Sequence, residues 1–208
     1  MRGRVACVAA VAVVGVAGAS GCGGGKAQDA DEPSGTFPVD IVKATFPAKQ
    51  RLADNVTLEI TVRNAGQKVI PNLAATIRAG DRSGEATTEG NAQAFAEASQ
   101  EPGLADPSRP VWILNEGPRG GVTAYTNTWA LGNLKPGQQK TFTWHVTAIK
   151  PGVHSIRYEV AAGLDGKAKA VLSGGSRRPQ GAFTIDVSGA PADARVGDNG
   201  QVIRSQPR

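Results

Sequence analysis

Residues 55–64 read Asn-Val-Thr-Leu-Glu-Ile-Thr-Val-Arg-Asn. Val56, Leu58, Ile60 and Val62 alternate with Thr57, Glu59, Thr61 and Arg63, a period of two. In an extended chain that period puts the aliphatic side chains on one face and the polar ones on the other. Asn64-Ala65-Gly66-Gln67 follows as a turn. The stretch is therefore a half-buried strand, and its apolar face needs a second layer to cover it.

The pattern recurs on both sides. Upstream, Val39 and Ile41 alternate with Asp40 in a segment running from Phe37 to Phe46-Pro47. Downstream, Val69 to Ile77 sets Leu73, Ala75 and Ile77 on one face, and Pro71 near its start points to an edge strand or a bulge. After the turn Leu134-Lys135-Pro136-Gly137, Phe142, Trp144, Val146 and Ala148 alternate with Thr141, Thr143, His145 and Thr147. After Lys150-Pro151-Gly152, His154, Ile156, Tyr158 and Val160 alternate with Ser155, Arg157 and Glu159. Asp165-Gly166 reads as a hairpin turn into Lys167–Leu172, and Ala182–Val187 reads as one more short strand. No segment carries a long apolar period of 3.6. Short strands separated by turn signals predict an all-β, antiparallel β-sandwich of about seven to nine strands over 37–188.

The segment 80–129 interrupts this rhythm. Gly80–Asn91 is polar and Gly-rich. Ala92–Ser99 is rich in Ala and Glu, so a short helix is expected there, capped by Asn91 and stopped by Pro102-Gly103. Val111–Leu114 and Val122–Leu131 read as strands, with Gly117–Gly121 as the turn between them. About fifty residues is too long for a bare connection, and long loops on a rigid scaffold often carry binding. Trp112, Tyr125 and Trp129 are therefore the candidate ligand-contacting side chains, suited to stacking on sugar rings. Their plainer role is to cap the core.

The order of strand, Asn64-x-Gly66, Pro71, strand, then Pro136-Gly137, strand, Pro151-Gly152, strand resembles bacterial immunoglobulin-like domains of the cell-adhesion-related (CARDB-like) type. The resemblance covers about 37–79 and 130–187. It implies about seven strands in two sheets on a secreted or surface protein, and it brings no catalytic residues. The whole chain also resembles actinobacterial lipoproteins, from high-GC Gram-positive bacteria, which implies no activity.

The N-terminus explains the second half of that resemblance. Arg2 and Arg4 make a basic start, and Val5–Val16 is apolar and uncharged. That run is shorter than the roughly twenty residues a spanning helix requires. Gly18, Ala19, Ser20 and Gly21 then lead to Cys22, the order of a secretory signal. Ala19-Ser20-Gly21-Cys22 resembles the bacterial lipobox, with Ala19 where that family usually has Leu. The resemblance implies a signal peptide over 1–21, cleavage before Cys22 and a diacylglycerol on its thiol. Two acyl chains hold a protein stably on a bilayer, where a single one would be marginal. Residues 22–36 are expected to be a flexible tether, since Gly23–Thr36 has no apolar residue larger than Ala apart from Pro33. The polar stretch 189–208 is expected to be a loose tail. Arg204 and Arg208 there could touch anionic lipid or wall polymers.

Composition limits the chemistry. The only cysteines are Cys7 and Cys22, so a chain cut before Cys22 has no internal disulfide. Removing Arg2 and Arg4 with the leader lowers the formal charge from +5 to +3, and the basic residues are scattered, which argues against nucleic acid. His145 is expected to face solvent and His154 to be packed or hydrogen-bonded. No third ligand stands out beside them for a metal. Glu97, Glu101, Asp106 and Glu116 read as solvated loop carboxylates. No cofactor is implied.

The expected function is therefore non-enzymatic: a monomeric lipoprotein on the extracytoplasmic face of the cell membrane that contacts an envelope protein or polysaccharide. A solute- or glycan-binding lipoprotein using the 100–129 aromatics is the alternative, and an enzyme of unrecognised type is third.

Overall fold

The computed structural model describes residues 31–80, 94–97, 110–125, 127–191, 194–196 and 201–204. The leader, Cys22, the tether up to residue 30, residues 81–93, residues 98–109 with Glu101 and Asp106, and Arg208 lie outside them.

Among the described residues the chain is all-β. In order, the strands are β1 (Gly35–Thr45), β2 (Lys49–Leu52), β3 (Asn55–Asn64), β4 (Ala74–Gly80), β5 (Phe95–Glu97), β6 (Trp112–Glu116) and β7 (Val122–Tyr125). They continue with β8 (Thr128–Ala130), β9 (Gln139–Ala148), β10 (Gly152–Ala161), β11 (Ala168–Leu172), β12 (Gln180–Pro191), β13 (Ala194–Val196) and β14 (Val202–Arg204). One six-stranded sheet has the order β11-β1-β3-β9-β6-β5, and the other β2-β12-β10-β4-β8-β7. The two form a β-sandwich.

The alternation at 55–64 has the expected consequence. Leu58, Ile60 and Val62 are fully buried, and across the ladder so are Phe142, Trp144 and Val146. From the second sheet Ala75, Ile77, Ile156, Tyr158, Val160 and Ile185 face them. Rings join the layers: Trp144 stacks on Phe142 with centroids 5.7 Å apart, and Trp129 of the second sheet meets Trp144 edge-on at 5.5 Å. Asn64 locks the turn after β3. Its side chain accepts from Gly66 N and donates to the carbonyls of Lys68 and Leu134.

Several expectations need correction. The sheets are mixed, because β1–β11, β2–β12 and β5–β6 pair in parallel. The strand count exceeds seven to nine because short edge strands were invisible to a period-of-two reading. β2 has only four residues. The Ala92–Ser99 helix is not present where it is described: Phe95–Glu97 is a strand beside β6. Burial of Phe95 against Trp129, at 6.1 Å between centroids, outweighs the local helix preference of Ala and Glu. Val122–Leu131 is two strands rather than one, turned by Asn127 at φ 63°. The strand after Pro71 starts only at Ala74 and is internal, paired with β10 and β8, so Pro71 sits before the ladder rather than in it. Asp165-Gly166 does not make a hairpin; the chain there crosses from β10 to the other sheet, where β11 joins β1. The stretch after 189 is partly ordered, with β12 running to Pro191 and β13 pairing with β14.

The domain also begins before Phe37. Gly35 and Thr36 pair with Ala168 and Lys169. Glu32 is almost fully buried, and its carboxylate accepts from the backbone N–H groups of Leu164 (2.6 Å), Asp165 (2.8 Å) and Ala168 (2.6 Å). A Cβ on Gly163 would collide with that carboxylate, so the loop needs glycine to admit it.

Candidate functional site

The three aromatic candidates do not form a groove. Trp112 is fully buried and Trp129 is 7% exposed, both within the core. Trp112 donates its indole N–H to Gln50 Oε1 and packs edge-on against Phe46 at 5.5 Å. Only Tyr125, 56% exposed on β7, is open to solvent. Two of the three rings that sugar stacking would use are thus committed to packing.

The histidines are apart. His154 is half-buried, bonds the Lys150 and Pro151 carbonyls through Nε2 at 3.2 Å, and meets Trp112 edge-on at 6.0 Å. His145 is exposed on the outer face of the first sheet. Among the described residues no three His, Cys, Asp or Glu side chains gather as a metal site.

His145 does line an open hollow of about 480 Å³ with Asn55, Val56, Thr57, Asn115 and Glu116. Its Nδ1 lies 3.1 Å from the Thr57 hydroxyl. That contact follows from register, because Thr57 and His145 face each other directly across the ladder. A nucleophilic triad would also need a carboxylate orienting the imidazole. Glu116 instead accepts from Arg119 Nε at 2.9 Å. Asn115 spends its amide on Asn55 and Thr147. The arrangement is a polar cross-strand network, not a catalytic constellation.

The other outer face holds a feature that the sequence reading passed over. Arg78 on β4 and Arg157 on β10 are exposed and directly opposite each other. Like charges in that position repel. On the first sheet exposed cations are ion-paired instead: Arg63 bonds Asp40 and Lys43 bonds Glu59. No described acidic side chain bonds Arg78 or Arg157. Glu159, two residues along the same face, is drawn to Arg178 at 3.3 Å. On the other side of Arg157 stands Ala182, whose small side chain leaves room. The result is a groove of about 390 Å³ whose walls also include Thr76, Tyr158, Glu159, Gln180 and Gly181. Gly181 faces Tyr158, whose ring lies so close that a Cβ there would sit 2.6 Å from it. Burial raises the Tyr158 pKa above its usual value. Alternation alone could have flagged the arginine pair, but only with the β4–β10 register, which the sequence does not state.

No protein-family model matches the chain, and no curated protein matches its sequence. Similar solved structures include the CARDB domain of a Pyrococcus furiosus protein in complex with di-metal ions, at 13% identity and a TM-score of 0.42, covering 74% of this chain and 91% of that one. They also include native Escherichia coli alpha-2-macroglobulin from its MG7 domain to the C-terminus, at 17% identity and a TM-score of 0.42, covering 76% and 18%. A Listeria innocua β-glucosidase is similar at 16% identity and a TM-score of 0.39, covering 74% and 16%. The sandwich assignment rests on the strand pairing and burial described above.

Proposed function

We propose that the chain is an extracytoplasmic lipoprotein, held on the cell membrane through a lipid on Cys22, whose sandwich is a non-enzymatic binding module for another envelope component, a protein or a wall polymer. The supporting observation is the Glu32 clamp. A tether that ended loosely would leave the domain free to wander, whereas here a tether residue is built into the fold by three backbone donors. From Cys22 to Glu32 the chain can reach at most about 35 Å, so the domain stays close to its anchor. The commitment of the tryptophans to the core and of His145 and Glu116 to structural bonds favours binding over catalysis.

Fractionation tests the reading. The wild-type chain should sediment with membranes and be released by detergent, and Cys22→Ala should appear in the soluble fraction. If the Cys22→Ala chain stays in the membrane pellet to the same extent, the lipid anchor is wrong.

A further inference from the structure

We propose that the Arg78–Arg157 groove is a site for the phosphate of an anionic phospholipid headgroup, so that the domain reads the surface to which it is tethered. This rests on the anchored reading given above for its source of ligand, and on the groove's own chemistry for its specificity.

The chemistry comes from charge and geometry. Two exposed guanidinium groups stand on facing positions of neighbouring strands with no acidic partner among the described residues. Each presents a planar fork of donors that matches phosphate oxygens in a bidentate manner. Holding two such cations side by side without a counter-ion is unfavourable, and an oxyanion between them removes the repulsion. Glu159 also lines the groove, and its carboxylate is ion-paired with Arg178 at 3.3 Å. Ala182 opposite Arg157 keeps the groove open, while Gln180 adds a neutral amide to its wall. Asp186 lies four residues farther along β12 from Ala182.

Position favours a headgroup as the source of the phosphate. Glu159 is separated from Gly163 by four residues, no more than about 14 Å of chain. Gly163 is where the Glu32 carboxylate is seated. The Glu159 side of the groove therefore lies toward the end of the domain where Glu32 is seated. A wall polymer could approach any face, whereas a headgroup meets that end at high effective concentration once the chain is anchored.

The test uses the full mature chain, purified from envelope in a neutral detergent. Soluble short-chain phosphatidylglycerol and short-chain phosphatidylcholine are titrated separately, and binding is followed by chemical shifts of the backbone amides of Arg78, Arg157 and Gln180. Phosphatidylglycerol should bind at least about tenfold more tightly than phosphatidylcholine, as expected where net charge decides. Arg78→Gln/Arg157→Gln should lose that preference, while Lys135→Gln, an exposed cation on the Leu134–Gly137 turn, should keep it. Poly(glycerol phosphate) is the comparison polymer. Equal binding of the two lipids, an unchanged preference in the double variant, or tighter binding of the polymer than of phosphatidylglycerol overturns the proposal. Intact mass of the same preparation reports the lipid on Cys22 independently, so failure of the groove and failure of the anchor give different results.

Discussion

Gln50 and Trp112 join the two sheets through one buried hydrogen bond, from the indole Nε1 to the amide Oε1 at 2.7 Å. Gln50 lies on β2 of the second sheet and Trp112 on β6 of the first, 62 residues apart in sequence. The other end of the amide donates to Pro47 O at 2.9 Å. Both side chains are essentially inaccessible.

A buried donor left without an acceptor is costly. Gln50→Leu preserves bulk but orphans the indole N–H and the Pro47 carbonyl. It should lower stability by about 1–3 kcal/mol, read as a lower urea midpoint with an unchanged slope. Combined with Trp112→Phe, the loss should be smaller than the sum of the two single losses, because both remove the same bond. Strict additivity would show that the bond contributes nothing.

The Glu32 clamp makes a second prediction. Glu32→Ala leaves the N–H groups of Leu164, Asp165 and Ala168 without their acceptor and should cost roughly 1–3 kcal/mol. Gly163→Ala should produce a loss of the same order from the opposite side, since its methyl occupies the carboxylate's place. Hydrogen exchange at the three amides should quicken in both variants. Unaltered exchange in Glu32→Ala would remove the clamp from the account.

Asp40 predicts a pH dependence. A hydrogen bond from the Ser173 hydroxyl, and next the Arg63 guanidinium, hold its carboxyl below the ordinary aspartate value of 3.8. A group whose folded pKa is depressed stabilises the fold fully above its unfolded pKa, and that contribution fades as pH falls through the lower folded value. Wild type should therefore exceed Asp40→Asn in stability at neutral pH, and the gap should close below about pH 4. Urea midpoints at a series of pH values check this, and a constant gap down to pH 2 would contradict it. Asp40 remains partly open to solvent, so the gap is expected to be small.

Much of the sandwich was legible because alternation encodes burial directly. Every large apolar residue singled out between Leu58 and Val62 and between Phe142 and Ala148 is buried. What alternation cannot encode is partnership. The parallel pairing of β1 with β11 and of β2 with β12 joins segments far apart in sequence, and nothing in Asp165-Gly166 distinguishes a hairpin from a crossing between sheets. Phe95–Glu97 became a strand because β6 offered an edge and the core offered Phe95 a place. The site shows the same division. Trp112 and Trp129 look alike whether they cap a core or line a groove, and the structure takes the first course. Arg78 and Arg157 became a candidate only once register set them side by side.

The central claim is that this sandwich works at the end of a lipid anchor. Intact mass of the mature chain purified from membranes tests it most directly. The account predicts a polypeptide starting at Cys22 and carrying a thioether-linked diacylglycerol. A chain that starts at another residue, or begins at Cys22 with an unmodified thiol, would contradict it.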